Sequence, residues 1–226
     1  KIVINPTNTN QLVACGTSGL YTSNNGGTSW TLKSDSLFWD LAQDPVHPNT
    51  LYAATGWVQT LNEGSAGIYK STDFGSTWTL LNTGIPQQGS VQRIKLAIAP
   101  SDPNTLYAAA VDVSSGLYGI YTTTDAGANW NFLPGTINYL SYDDGTAGGG
   151  QGTYDLALLV NPTDKNTVYI GGVNVWISTD GAQTFNPVSH WTLSYGPTIH
   201  GDIHFIERQP LTNAIFTCSD GGLYRT

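Results

Sequence analysis

Short apolar runs separated by turn residues occupy the whole chain. Runs such as LYAAT and LYAAA are rich in Leu, Tyr, Val, Ile and Thr, and Gly, Asn, Asp, Ser or Pro bounds each one. Residues of this kind in short runs between turn signals predict β-strands. Long segments with the apolar period of a helix do not occur in the sequence. The pattern therefore predicts an all-β chain.

The strand pattern recurs with a period near fifty residues. A first strand ends in Asn-Pro or a variant of it, as in IVINP and LLVNP. A second strand follows a turn, as in NTLYAA, a third reads GIYKS or VWIST, and a fourth begins at an aromatic residue. Four short antiparallel strands repeated at this period form the blade of a β-propeller. We predict blades at residues 1–36, 37–88, 89–138, 139–195 and 196–226.

The fifth predicted blade contains only three strands, and the chain has no Met. We therefore interpret the chain as a segment of a longer polypeptide in which further blades complete the propeller. A partial arc of blades would leave two sheet faces without a neighbour, which disfavours it as an isolated domain. The remainder of the same polypeptide is thus an expected partner.

A turn motif recurs between the third and fourth strands of each complete blade. It combines Ser or Thr, then Asp or Asn, then a small residue and an aromatic residue, and the aromatic positions lie 48, 52 and 55 residues apart. The four copies are Ser23-Asn25-Gly27-Trp30, Ser71-Asp73-Gly75-Trp78, Thr123-Asp125-Gly127-Trp130 and Ser178-Asp180-Ala182-Phe185. Because one copy has Asn in place of Asp, the motif needs a hydrogen-bond acceptor rather than an acid. We interpret it as a structural turn.

Composition narrows the classes of partner. Only 11% of the residues are charged, the net charge is -8, and Lys and Arg together number eight. Nucleic-acid binding needs clustered basic residues, so this partner is excluded. No apolar run is long enough for a membrane-spanning helix. Weakly charged β-proteins of this composition are typical of extracellular or cell-surface proteins, and we expect that location.

The repeated turns resemble the Asp-boxes, or BNR repeats, of sialidases, sortilin-type ectodomains and family-74 glycoside hydrolases. All five predicted blades fit, so the resemblance covers the whole chain and implies a propeller, but it implies no particular activity. The last third of the chain, with SHW, HGDIHFIE and SDGGLYRT, resembles secreted propellers of Bacteroidetes. That resemblance implies export by type IX secretion.

Charged residues mark the first strand of several blades, which in a propeller lines the central channel. Asp40, Asp155 and Asp202 lie early in three of these strands, and Arg93 and Lys95 lie in another. These groups either form a ligand site at the channel rim or neutralise one another.

One first strand also carries an alternating polar triplet, His200, Asp202 and His204, whose side chains would share one face of the strand. The triplet is either a hydrogen-bonded channel lining or, with ligands from neighbouring blades, a divalent metal site. No organic cofactor is expected, because the glycine-rich stretch 141–155 lacks the Lys-Ser or Lys-Thr ending of a phosphate loop. We interpret that stretch as a surface loop.

Asp220 is a candidate catalytic acid. Its segment, SDGGLYRT, resembles the stretch around a catalytic Asp in family-74 enzymes, although one residue between the Asp and the glycines is missing here. Inverting hydrolysis needs a second carboxyl group about 6.5–9.5 Å away, and the sequence does not identify it. A sialidase is disfavoured, because Arg93, Arg208 and Arg225 are the only arginines and form no evident cluster.

Aromatic residues outside the repeated turns have two interpretations. Trp39, Trp57 and Trp176 either pack within blades or bind a ligand. His190 and Trp191 lie in the link between the fourth and fifth blades, where we expect exposure at the rim.

Cys15 and Cys218 occupy equivalent small-residue slots in two blades, so we expect free, buried thiols.

Two functional hypotheses follow from these residues. The first is a non-enzymatic extracellular propeller that binds protein or glycan or serves as a scaffold. The alternative is a family-74-like glycoside hydrolase of the xyloglucanase type, which would use Asp220 and a second acid.

Overall fold

The computed structural model describes residues 1–56, 65–81, 83–85, 89–133, 137–192, 197–209, 211–212 and 214–225. Trp57 lies outside the described residues. The described chain is all-β, and its strands form five separate antiparallel sheets. Among these residues there is no helix long and apolar enough to span a membrane.

The first two sheets correspond to the first two predicted blades. The first contains β1 (Ile2–Ile4), β2 (Leu12–Gly16), β3 (Gly19–Ser23) and β4 (Thr31–Ser34). The second contains β5 (Phe38–Gln43), β6 (Leu51–Thr55), β7 (Gly67–Ser71) and β8 (Thr79–Leu81).

The remaining sheets repeat the same order. The third contains β9 (Arg93–Ile98), β10 (Leu106–Val111), β11 (Leu117–Thr123) and β12 (Asn131–Leu133). The fourth contains β13 (Ala157–Val160), β14 (Val168–Gly171), β15 (Val175–Ser178) and β16 (Asn186–Ser189). The fifth contains β17 (Ile203–Arg208), β18 (Ile215–Ser219) and β19 (Gly222–Arg225). Each sheet pairs neighbours in sequence, which is the meander of a propeller blade.

The first strands of the sheets meet at the centre. β1 packs against β5, β5 against β9, β9 against β13 and β13 against β17. A cavity of about 330 Å³ is lined by residues of all five first strands, from Val3 in β1 to Glu207 in β17. Since each sheet is entered by its innermost strand, the amino-terminal ends of these strands lie at one end of the channel. The expected central position of the first strands is confirmed.

The repeated turns share one hydrogen-bond pattern. In the second sheet, Ser71 Oγ donates to Asp73 Oδ1 at 2.8 Å and accepts from the backbone N of Gly75 at 2.8 Å. Asp73 Oδ1 accepts from the backbone N of Thr77 at 2.8 Å. Asn25 holds the same acceptor position toward Ser23 and Ser29. These contacts close the turn without using a charge, so the structural interpretation of the motif fits. Assignment to the Asp-box and sortilin families stays a prediction.

The turns also join neighbouring sheets. A Cβ on Gly75 would meet Val13 of the first sheet at 2.8 Å, and one on Gly127 would meet Leu81 of the second at 2.6 Å. Trp130 is buried in a core shared by the second and third sheets. Trp130 therefore packs between two blades, whereas Trp30 of the first sheet is exposed. Each fourth strand begins one residue after this aromatic.

Candidate functional site

Four of the residues predicted for the channel rim lie at the amino-terminal ends of first strands. Asp40 is the third residue of β5 and Arg93 the first of β9, while Asp155 and Asp202 shortly precede β13 and β17. Shared position in the repeat therefore brings these charges to one end of the channel. The structure divides them into an ion-pair cluster around Asp40 and a second group around Asp155 and Asp202.

The Asp40 cluster is a neutralised structural group. Asp40 is 1% exposed, and Oδ1 accepts from Nζ of Lys1 at 2.9 Å and Nζ of Lys95 at 3.3 Å. Its Oδ2 accepts from the backbone N of Leu96 at 2.9 Å. Burial alone would raise the pKa of Asp40, but the two ammonium groups lower it below its ordinary value. Of the two interpretations of the rim charges, mutual neutralisation therefore applies to Asp40.

Asp155 and Asp202 form a different kind of pair. Asp155 is 0% exposed, and among the described residues neither of its carboxyl oxygens has a hydrogen-bond partner. Burial, followed by the charge of Asp202, raises the pKa of Asp155 to about 8. Asp202 is half-buried, and its Oδ1 accepts from Nε2 of Gln151 at 2.8 Å. With its pKa raised to about 8, Asp155 keeps its proton at neutral pH.

Arg93 and Trp39 close the buried side of this pair. The Arg93 guanidinium lies 5.4 Å from the centre of the Trp39 ring, and its Nη1 donates to the carbonyl of Gly152 at 3.0 Å. The positive charge of Arg93 partly offsets the rise in the pKa of Asp155. Trp39 thus serves packing and cation–π contact rather than ligand binding. Trp176 is 2% exposed and packs in the core.

Asp220 is held in the ionised state beside this pair. It lies in the turn between β18 and β19, and its Oδ1 is 2.7 Å from Nε2 of His204. The hydroxyl of Tyr154 donates to Oδ2 of Asp220 at 3.1 Å. These two donors, His204 first, lower the pKa of Asp220 below its ordinary value. The hydrogen bond and charge of Asp220 raise the pKa of the Tyr154 hydroxyl, and the charges of Asp202 and Asp155 add to that rise.

The side chains of His200, Asp202 and His204 do not share one strand face, so this prediction is wrong. The cause is local. β17 begins only at Ile203, because the φ of 66° at Asp202 interrupts the extended backbone immediately before the strand. His204 turns to Asp220, whereas Nδ1 of His200 contacts the carbonyl of Gly201 at 3.1 Å. No group of three or more His, Cys, Asp or Glu in the described ranges is arranged to hold a metal ion. The metal hypothesis gains no geometric support there.

A cavity of about 300 Å³ opens beside Asp202. Its lining residues are Tyr142, Gln151, Val173, Trp191, His200, Gly201 and Asp202. Tyr142 is 55% exposed and Trp191 49% exposed. Exposure of Trp191 was expected, but the same expectation for His190 is wrong. His190 is 6% exposed, and its Nδ1 lies 2.8 Å from Oγ1 of Thr192. The link is folded inward at this residue.

Sequence reasoning missed a fifth copy of the turn chemistry. Within the glycine-rich stretch, Ser141 Oγ donates to Asp143 Oδ1 at 2.8 Å and accepts from the backbone N of Gly145 at 3.1 Å. The Ser-x-Asp-x-Gly spacing is that of the other turns, but Gly148 stands where they have an aromatic residue. This copy precedes β13 instead of joining a third and a fourth strand. It fixes the loop that presents Tyr142 to the cavity.

Both cysteines are free thiols, as expected. Cys15 is buried, and Cys218 is only half-buried. Burial, first among several causes, raises the pKa of the Cys15 thiol.

Comparison with known proteins finds similarity to family-74 glycoside hydrolases, which share the propeller fold. No protein-family model matches the chain. A xyloglucanase of Hypocrea jecorina (strain QM6a) is 34% identical over 106 residues, which cover 43% of this chain and 12% of that protein. The chain therefore spans a small part of this curated relative.

Solved structures match over nearly the whole chain at low identity. An ancestral GH74 enzyme superposes with a TM-score of 0.70 at 18% identity, covering 100% of this chain and 30% of that one. The GH74 enzyme of Niastella koreensis gives 0.69 at 19% identity, covering 99% and 35%. A YCF48 structure described as bound to D1 peptide gives 0.53 at 16% identity, covering 100% and 66%. These matches confirm the β-propeller fold, and the chain corresponds to about a third of the two enzymes.

Proposed function

We propose that the chain forms part of a glycoside hydrolase that cleaves a β-linked glucan of the xyloglucan type. The observation that carries the proposal is the gathering of three carboxyl groups in unlike protonation states at one end of the channel. Asp155 keeps its proton at neutral pH, while Asp220 is ionised. One acid that keeps its proton and one carboxylate that has lost it are the two groups that glycoside hydrolysis needs. The 34% identity to a xyloglucanase supports the substrate class.

The exposure of each carboxyl group suggests its role. Asp202 is half-buried and lines the open cavity, so it is the member of the pair that can reach a sugar. In the proposed step Asp202 takes up the proton held by Asp155 and passes it to the glycosidic oxygen as that bond to the anomeric carbon breaks. Asp220 accepts a proton from the water whose oxygen forms the new bond at the anomeric carbon. Asp155, which is fully buried, touches no substrate and supplies the proton that Asp202 passes on.

Two residues position the proposed base. Tyr154 and His204 both donate to Asp220, and their rings lie 4.9 Å apart, edge to face. These contacts fix the carboxylate direction and keep it ionised at mildly acidic pH. The sequence placed His204 on a strand face, as part of a channel lining or of a metal site, and we now propose it as a positioning residue for Asp220.

A binding-only propeller remains the second candidate. The observation that favours it is the exposed pair Tyr142 and Trp191 beside the cavity, since exposed aromatic rings serve carbohydrate and protein binding without catalysis. The YCF48 propeller bound to D1 peptide shows such use of a related fold in another protein. Under either candidate we propose an extracellular or cell-surface location, where a polysaccharide or protein ligand would be met.

Hydrolysis of xyloglucan by the full-length protein separates the two candidates. We expect new reducing ends with the wild type, and a loss of at least about a hundredfold in rate for Asp220→Asn and for Asp202→Asn. Asp144→Asn, an exposed carboxylate in the loop that carries Tyr142, is the matched control and should keep the wild-type rate. Binding of xyloglucan without any turnover would contradict the enzyme proposal and support the binding module.

A further inference from the structure

We propose that the cavity between Trp191 and Asp202, here called the Trp191 cavity, is a binding subsite for one neutral sugar ring of the substrate. The inference rests on the proposed function, because it places the ring next to the candidate acid Asp202. The apolar and polar walls of the cavity, rather than the carboxyl chemistry, support it. The volume of about 300 Å³ is at the lower end of the range for small-molecule pockets.

The apolar wall is rigid although it is exposed. Trp191 Nε1 donates to the carbonyl of Tyr142 at 3.3 Å, and the backbone N of Trp191 donates to Oδ1 of Asn174 at 3.0 Å. Asn174 is 1% exposed, and its Nδ2 donates to the carbonyl of Asp143 at 3.1 Å. One buried amide thus ties the Trp191 link to the turn that carries Tyr142. An exposed indole held in this way is preorganised to receive the face of a ligand.

The polar wall matches hydroxyl groups. Asp202 offers a carboxyl oxygen beyond the one bound by Gln151, and Gln151 offers its amide oxygen. Nδ1 of His200 contacts the carbonyl of Gly201, which leaves its Nε2 directed away from that contact. Acceptors on one side and an aromatic face on the other suit a pyranose ring, whose faces carry C–H groups and whose rim carries O–H donors.

The charge of the lining selects a neutral sugar. The lining includes neither Lys nor Arg among the described residues, and a uronate or sialate carboxylate would need such a partner. The Asp202 carboxyl would instead repel an anionic ring. A glucose or xylose unit of a β-glucan therefore fits this lining better than an acidic sugar.

The position of the candidate base agrees with a ring in this cavity. A Cβ on Gly221 would come 2.2 Å from Cβ of His200, so this glycine lets the turn of Asp220 press against the cavity wall. His200 also contributes to the lowered pKa of Asp220. The Trp191 cavity thus lies beside both proposed catalytic carboxyl groups.

Oligosaccharide binding to full-length protein with the Asp220→Asn change, which prevents turnover, tests the subsite. Titration calorimetry with cellotetraose and with a xyloglucan heptasaccharide should show at least a tenfold weaker Kd after Trp191→Ala, and partial recovery with Trp191→Phe. Trp30→Ala, at an exposed motif aromatic of the first sheet, is the control and should leave the Kd unchanged. Tyr142→Ala serves as a second variant if the urea midpoint shows that Trp191→Ala does not fold.

The outcomes separate this inference from the enzyme proposal. Unchanged Kd values in both aromatic variants, with turnover intact in the parent protein, would overturn the subsite alone. Binding that depends on Trp191 in a protein that never hydrolyses xyloglucan would support the subsite and overturn the enzyme proposal. Equal or tighter binding of a galacturonate tetramer would overturn the assignment to neutral sugars.

Discussion

Replacement of Asp155 by Asn should remove a large pH dependence of stability. The folded protein keeps a proton on Asp155, because burial and the charge of the neighbouring Asp202 raise the pKa of Asp155 from 3.8 to about 8. The unfolded chain releases this proton above about pH 4. Between about pH 4 and pH 8 the folded state therefore binds more protons than the unfolded state, and the free energy of unfolding falls as the pH rises.

The size of this effect follows from the pKa difference. At about 1.4 kcal/mol per pKa unit, the group costs on the order of 5 kcal/mol of stability once the pH exceeds the folded-state pKa. Asp155→Asn keeps the shape of the side chain and places an amide donor against Asp202. We expect the variant to resemble the wild type near pH 4 and to exceed it by several kcal/mol near pH 8.

Urea unfolding followed by tryptophan fluorescence at half-unit steps from pH 4 to pH 9 measures this difference. Asp125→Asn is the control. Bonds from Asn129 and Thr123 lower the pKa of Asp125 to about 2, so its contribution is present above about pH 4 and is lost only as the pH falls toward 2. The control should therefore show the same change of stability with pH as the wild type throughout the measured range, with at most a constant offset. A flat wild-type profile, or an equal slope in Asp155→Asn, would refute a protonated Asp155 in the folded protein.

Three further outcomes test other contacts. Tyr154→Phe removes a donor to Asp220, so the pKa of that carboxyl should rise and the acid limb of the pH–rate profile should move to higher pH; an unmoved limb would exclude Tyr154 as a positioning residue. Ser71→Ala loses the acceptor of the Gly75 backbone N and should cost about 2 kcal/mol in urea unfolding, whereas Thr72→Ala, at an exposed position of the same turn, should cost less than about 0.5 kcal/mol. Trp191→Ala removes the aromatic wall of the Trp191 cavity and should weaken oligosaccharide binding at least tenfold in titration calorimetry.

The repeat made the fold predictable because its signals are local. Strand residues, turn residues and the motif aromatics each act within a few positions of the chain, so their order predicted five sheets and the central position of the first strands. The hydrogen-bond role of the motif was also predictable, because Asn25 stands where other copies have Asp. The packing of Trp130 between two sheets was not predictable, because it depends on how one blade packs against the next.

The site was less predictable because it depends on departures from the repeat. Alternation along HGDIH predicted one shared strand face, but the positive φ of Asp202 ends the strand and sends His204 to Asp220. The partnership of Asp155 with Asp202 joins residues from two blades, and no spacing within one blade reports it. The Ser141 turn was recognisable by its Ser-x-Asp-x-Gly spacing, but it lacks the aromatic residue that marked the other copies.

The stereochemical course of xyloglucan hydrolysis tests the central claim most directly. If Asp202 donates the proton and Asp220 activates water in a single displacement, proton NMR of the full-length protein with xyloglucan should show the α-anomer of the new reducing end first. The signal should be absent with Asp220→Asn under the same conditions. Initial appearance of the β-anomer, or no product from a folded wild-type protein, would contradict the account.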